Sequence, residues 1–213
     1  SPDPTTGSIL PPIYETATYV LPEVGRDLGF DYTRSSNPTR QVLEDNLAAI
    51  ENGKYAISFA SGMSAVDACF KLFSAGDHIV CGDDVYGGVT RLLDNVIVQQ
   101  GLSVSYVDTT NTDAVRAAIT SATRMLWIET PTNPLLKVSD LEAMVSIARE
   151  NNILLGVDST FATPVFLRPL DFGADIVMHS TTKYLAGHNQ IIGGVLITSN
   201  QHVFEKMKFI QKS

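Results

Sequence analysis

Short runs of apolar residues, each separated from the next by a stretch with helical periodicity, constrain this chain more than any other feature. The runs are His78-Ile79-Val80-Cys81, Ser103-Val104-Ser105-Tyr106-Val107, Met125-Leu126-Trp127-Ile128, Ile153-Leu154-Leu155-Gly156-Val157 and Ile176-Val177-Met178. Three of them are apolar on successive residues. That is the pattern of parallel strands covered on both faces, where side chains pointing either way meet a core. Between the runs, Met63, Val66, Phe70 and Phe73 recur at helical spacing, and so do Leu141, Met144, Ile147 and Ala148. The alternation predicts an α/β domain with a mostly parallel sheet flanked by helices. Ile191 to Thr198 reads as one more strand, interrupted by Gly193-Gly194, with a direction the sequence leaves open.

Ahead of this pattern, residues 1–50 are Pro-rich. They read as an extended arm followed by a helix from about Thr39 to Ile50, with Pro38 at its start and Asn37 as its cap. The expected division is therefore an arm and helix over 1–50 and an α/β domain over 51–213. A formal net charge of −8 argues against a nucleic-acid partner, which needs a basic surface. No apolar run approaches the ~20 residues that span a bilayer. No signal-peptide pattern is seen either, so a cytoplasmic location is the default. Cys69 and Cys81 lie in apolar patterns without metal or redox spacing and are expected to be buried free thiols. His179 and His188 have no partner spacing for a metal pair and read as structural. The chain starts Ser1-Pro2-Asp3-Pro4 and stops at Lys212-Ser213 within a helical pattern, which suggests a piece of a longer polypeptide.

In a parallel sheet, ligands bind beyond the carboxyl ends of the strands. The chemistry-bearing residues stand there. Lys183 follows Ile176-Val177-Met178 in the segment His179-Ser180-Thr181-Thr182-Lys183-Tyr184. An amine among hydroxyls proposes an aldehyde cofactor held covalently, with Ser180 and Thr182 donating to a phosphate. Pyridoxal 5'-phosphate (PLP) has both groups. Lys183 also reads as a surface lysine; its place 25 residues after Asp158, a βαβ spacing, raises it above that reading. Asp158 ends an apolar strand, where a carboxylate needs a cationic partner such as a protonated pyridine nitrogen; a helix cap or loop ion pair is the plainer reading. Tyr86, before Gly87-Gly88, is placed to lie flat on a conjugated ring, or equally to be a turn tyrosine facing water. Asn133, in Glu129-Thr130-Pro131-Thr132-Asn133-Pro134, sits in a loop stiffened by two prolines and can bond a phenolic oxygen of the cofactor, unless the loop is simply a rigid turn. Ser61-Gly62-Met63 opens a helix whose N-terminus can hold an anion, or is merely well capped.

These segments stand in one order with Tyr32-Thr33-Arg34 and Asn37-Pro38-Thr39. Together they resemble the Cys/Met-metabolism PLP enzymes of the cystathionine γ-synthase and γ-lyase type, from about Asp3 to Val195. The resemblance implies the PLP-dependent transferase fold type I, like aspartate aminotransferase, and a homotetramer built as a dimer of dimers. It implies that Lys183 holds PLP, Tyr86 stacks on its ring and assists catalysis, and Asp158 pairs with the ring nitrogen. The phosphate cup then maps to Gly62, Met63, Ser180 and Thr182. Tyr32 and Arg34 complete it across the dimer, so that the arm contacts a neighbouring subunit. The implied activity is that of a carbon–sulfur lyase or γ-replacement transferase on an amino-acid substrate. First among these is γ-elimination of cystathionine to cysteine, 2-oxobutanoate and ammonia. Cystathionine γ-synthase, O-acylhomoserine sulfhydrylase, cystathionine β-lyase and methionine γ-lyase are the alternatives, and an inactive cofactor-binding or oligomerising fragment is the non-enzymatic one. Methionine γ-lyases usually carry cysteine where Gly88 stands, and Arg91 looks more like the cystathionine enzymes. Asn189-Gln190, and Ser159 where asparagine is common, depart from the family pattern. Family members continue into a small C-terminal domain that supplies the arginine for the substrate α-carboxylate, which is expected beyond Ser213.

Overall fold

Asn37 ends the arm by accepting the N–H of Thr39, and Pro38 then opens α1 (Pro38–Ile50), as the sequence predicts. The computed structural model of the chain describes residues 2–213. After α1 come β1 (Tyr55–Phe59), α2 (Gly62–Phe70), β2 (His78–Gly82), α3 (Gly87–Leu92), β3 (Ser103–Val107), α4 (Thr112–Ala118) and β4 (Thr123–Glu129). They are followed by α5 (Leu141–Glu150), β5 (Leu154–Asp158), the short α6 (Thr163–Phe166) and α7 (Pro169–Phe172), β6 (Ile176–His179), β7 (Gly194–Thr198) and α8 (Gln201–Lys212). One seven-stranded sheet has the order β1-β7-β6-β5-β4-β2-β3. Strands β2 to β6 pair in parallel, and β7 runs antiparallel to both its neighbours.

The apolar runs work as their pattern requires. In β4, Met125 and Trp127 enter one core, while Leu126 and Ile128 enter the other, against α5. Trp127 is fully buried with its ring edge-on to Phe70, centroids 5.2 Å apart. Burial of each such side chain stabilises the fold by roughly 1.5–3 kcal/mol. Gly156 in β5 makes room for it: a Cβ there would lie 2.7 Å from Trp127 Cε3. Cys69 and Cys81 are buried free thiols.

Two features depart from the expected layout. The last strand begins at Gly194 rather than Ile191, leaving Ile191 and Ile192 exposed. Just before it, Gly193 gives its N–H to the Thr182 hydroxyl and its carbonyl accepts from Thr182, and a Cβ on Gly194 would come within 2.8 Å of Gly62 Cα, so only bare backbone passes beneath the start of α2. The strand β1, which the apolar runs do not reveal, borders β7 alone and is only partly buried. Helix α1 packs against these two strands, Leu47 and Ala48 meeting Ala56, Val195 and Ile197, so it is built into the α/β body. The arm before it leaves Ile9, Leu10, Val20, Val24 and Leu28 exposed. Among the described residues no helix is long and apolar enough to cross a membrane.

Because β1, β2, β4, β5 and β6 all point the same way, the turns after them meet along one edge of the sheet.

Candidate active site

At that edge lies a cleft of about 250 Å³. It gathers Gly62 and Met63 after β1, Tyr86 after β2, Asn133 after β4, Asp158 at the end of β5, and Ser180, Thr182 and Lys183 after β6. Eight of the ten residues expected from sequence are thus brought together. Tyr32 and Arg34 are not. They line a separate depression with Glu15, Thr16 and Arg40, the Arg34 guanidinium 5.5 Å above the Tyr32 ring.

One end of the cleft is built by α2. Ser61 caps this helix, its Oγ accepting the N–H of Ser64 while Ser64 Oγ accepts the N–H of Ser61. The N–H groups of Gly62 and Met63 then find no acceptor among the described residues. Two free donors at the positive end of a helix make an anion site. Ser180 stands against them. A side chain on Gly62 would bring its Cβ to 3.0 Å from Ser180 Cβ and from Met178 Cε, so glycine is needed for the approach. Thr182 is placed differently from Ser180, because its hydroxyl donates to the Gly193 carbonyl and accepts the Gly193 N–H. Its first task is to fix the turn carrying Lys183.

The far end of the cleft is acidic. Asp158 is 5% exposed, and both hydrogen bonds it receives go to Oδ1, from the Thr160 N–H at 3.0 Å and the Thr160 hydroxyl at 2.6 Å. Among the described residues no donor reaches Oδ2. The Thr160 hydroxyl in turn accepts the N–H of Ser180, so that the Asp158 turn and the Ser180 turn are tied by one oxygen. Burial pushes the Asp158 carboxyl up, against the opposing pull of the Thr160 bonds and of His179. Lys183 is exposed at the cleft and forms no ion pair among the described residues.

Sequence reading missed Glu129, which lies beside Asp158 in the sheet register and is also 5% exposed. The signal was present: like Asp158, it is a carboxylate closing an apolar strand. Its Oε2 accepts the N–H of Tyr86 at 2.7 Å and so fixes the turn that presents that ring. Burial, and then the neighbouring charge of Asp158, push its carboxyl from the ordinary 4.5 up to about 8. A raised acid favours the folded state fully below its unfolded value, and the contribution is lost as pH rises through the folded one. We therefore expect the cofactor-free protein to lose stability between about pH 4.5 and pH 8, by on the order of a few kcal/mol. Glu129→Gln should flatten that slope in thermal melts at pH 5 and pH 9. An unchanged slope would show that Glu129 does not titrate in this range.

Among the described residues no group of three or more His, Cys, Asp or Glu side chains is arranged to hold a metal ion. Free N–H donors at one end, a half-bonded buried carboxylate at the other, an aromatic face and an unpaired amine suit a flat, anionic, aldehyde-bearing ligand with a cationic ring atom.

The sequence profile of the Cys/Met metabolism PLP-dependent enzymes matches residues 1–213. A probable cystathionine gamma-synthase of Herpetosiphon aurantiacus is 48% identical, over 100% of this chain and 66% of its own length. A cystathionine beta-lyase of Coxiella burnetii is also 48% identical, over 100% of this chain and 55% of its own length. Among solved structures, cystathionine gamma-lyase from Lactobacillus plantarum, complexed with L-serine, superposes with a TM-score of 0.97 at 43% identity. That match covers 100% of this chain and 55% of the other. The chain spans between about half and two thirds of the length of these relatives.

Proposed function

Because this chain belongs to the Cys/Met metabolism PLP-dependent enzyme family and shares its type I fold, we propose that it acts in carbon–sulfur bond cleavage of cystathionine, as a cystathionine γ-lyase. The observation that carries the cofactor assignment is the pairing, across one cleft, of the half-bonded Asp158 carboxylate with the free N–H donors of Gly62 and Met63. Those two ends fit the ring nitrogen and the phosphate of PLP.

When bound, PLP supplies an electron sink for the substrate's α-carbon. The residues of this chain do the rest. Gly62, Met63 and Ser180 bind the phosphate, and Thr182 holds the turn beside it. Tyr86 lies on the ring, Asn133 bonds the phenolic oxygen and Asp158 keeps the ring nitrogen charged. Lys183 would hold the cofactor through its aldehyde carbon. Its amine would also move protons between the substrate's Cα and Cβ, with Tyr86 assisting at the substrate amine or leaving group. Tyr32 and Arg34 complete the phosphate cup of a second copy in a homotetramer of tight dimers. That their depression shares no residue with the chain's own cleft supports this, as do the exposed apolar side chains of the arm and of Val165 and Phe166.

Two observations bear on the choice of reaction. A Cβ at position 88 would lie 2.5 Å from Tyr86 Cε1 and 2.8 Å from Met63 Sδ. A cysteine there, as in methionine γ-lyases, would require the Tyr86 ring and the Met63 side chain to shift, which supports a cystathionine enzyme. Relatives named as a synthase and as a beta-lyase, each at 48% identity, make γ-replacement and β-elimination the second readings. Product analysis of the full-length protein separates them. Cystathionine should yield cysteine and 2-oxobutanoate faster than an activated homoserine plus cysteine yields cystathionine. The reverse order would make it a synthase, and homocysteine with pyruvate a β-lyase.

A further inference from the structure

Two turns that border the cleft, one after β2 and one after β4, are laced together by carboxylates. In one direction Glu129, at the end of β4, accepts the Tyr86 N–H at 2.7 Å. In the other, Asp84 lies just past β2 and reaches into the turn over 130–139. Its Oδ2 accepts the Thr132 hydroxyl at 2.5 Å and the Leu135 N–H at 3.2 Å. These two donors bracket Asn133 and Pro134. Further along the same turn, Lys137 Nζ pairs with Asp83 at 3.2 Å and with Asp108 at 3.3 Å.

What the turn lacks shows why its tip needs holding. The base is closed without Asp84: the Ser139 N–H donates to Thr130 Oγ1, and the hydroxyls of Ser139 and Thr109 meet at 2.7 Å. Beyond the base, Leu135, Leu136 and Val138 are 67%, 61% and 67% exposed, so these apolar side chains give the tip little hold on the core. Thr132 is the buried residue of the tip, and its hydroxyl donates to Asp84 while accepting the Lys137 N–H at 2.8 Å. A segment with few buried apolar contacts is placed by its hydrogen bonds, and those to a carboxylate are among the stronger kind. Asp84 and Thr132 themselves do not line the cleft. Tyr86, two residues after Asp84, and Asn133, one after Thr132, do.

We propose that Asp84 is a positioning residue of this site. By gripping the turn after β4 on both sides of Asn133, it holds the Asn133 amide and the Tyr86 ring at one spacing, so that the phenolic edge and the flat face of PLP are met together. Asp84 acts through Asn133, and the proposal rests on the reading of Asn133 as the partner of the phenolic oxygen. An amide that donates to this oxygen favours its charged form, and so lowers the pH at which the visible band of bound PLP titrates. Without Asp84 the tip drifts, Asn133 loses the oxygen and that pH rises.

The full-length protein tests this with two readouts besides activity. Without cofactor, hydrogen exchange read by mass spectrometry should be about tenfold faster over residues 132–138 in Asp84→Ala than in wild type. It should stay near wild type in Asp84→Asn, which keeps an oxygen acceptor in the same place. With PLP bound, the midpoint pH of the visible band should rise by about one unit in Asp84→Ala, and by a similar amount in Asn133→Ala. The double variant Asp84→Ala/Asn133→Ala should match Asn133→Ala alone, because a residue acting through Asn133 then has nothing left to position. Additive shifts in the double variant would overturn the proposal. So would faster exchange with an unmoved midpoint, which reduces Asp84 to a brace. Should Asp84→Ala not fold, Thr132→Val takes its place, with Thr132→Ser as the restoring variant, and the same outcomes decide. An unmoved midpoint in Asn133→Ala would sink the reading of Asn133 itself, a distinguishable result.

Discussion

Lys183→Ala is expected to lower kcat/KM by about 10³-fold or more while leaving the fold intact. Lys183 is exposed and forms no ion pair among the described residues, so its truncation should change stability by no more than about 0.5 kcal/mol. Its proposed value is chemical. In the proposed reading it is the amine that holds the cofactor and the base that moves substrate protons, and a positioned acid–base group alone contributes about 10²–10⁴-fold. Lys183→Arg should be almost as inactive, because it keeps the charge but not a nucleophilic amine. Borohydride treatment should fix PLP covalently to wild type and to neither variant, as read by mass spectrometry. An alanine variant that keeps a tenth of wild-type turnover would remove Lys183 from the mechanism.

The second large effect concerns Asp158. Asp158→Ala should reduce activity by about 10²–10³-fold, the equivalent of breaking a buried charge pair by removing one partner. Asp158→Glu, which restores the carboxylate, should recover most of it; equal losses in the two variants would refute the assigned role. Stability should move the other way. Burial pushes the Asp158 carboxyl up, so without a cationic partner its ionisation works against the folded state as pH rises above the ordinary carboxylate range. Cofactor-free Asp158→Asn should therefore melt higher than wild type at pH 8. Opposite signs for stability and activity are the mark of a side chain placed for function.

Much of this was legible in the sequence because β2, β4, β5 and β6 each lead into a residue of the cleft. Consecutive apolar residues required a sheet covered on both faces, and that sheet required its ligands at the carboxyl ends, where Tyr86, Asn133, Asp158 and Lys183 stand. Hidden features depend on contacts between distant segments. The β1 and β7 pair joins residues 55–59 to 194–198, and no local pattern encodes such a match. Glu51 and His179, hydrogen-bonded to each other in the core, are 128 positions apart and look like a surface acid and a strand-end histidine until α1 is docked. Glu129 was concealed by its motif, where two prolines and Asn133 drew the functional reading. Thr160 was missed because its hydroxyl matters only as the joint between two turns.

The edge of the sheet also sets a timetable. Strand β1 touches the rest of the sheet only through β7, yet β1 aims the Ser61-Gly62 turn that cradles the anion. As the ribosome delivers the chain, residues 55–70 emerge long before residues 194–198, and until the latter arrive the cradle has no fixed position relative to Lys183. A nascent chain halted before Gly194 should carry nearly every proposed cofactor contact in its sequence and still be unable to assemble them. Assembly of the cleft then has to wait for β7.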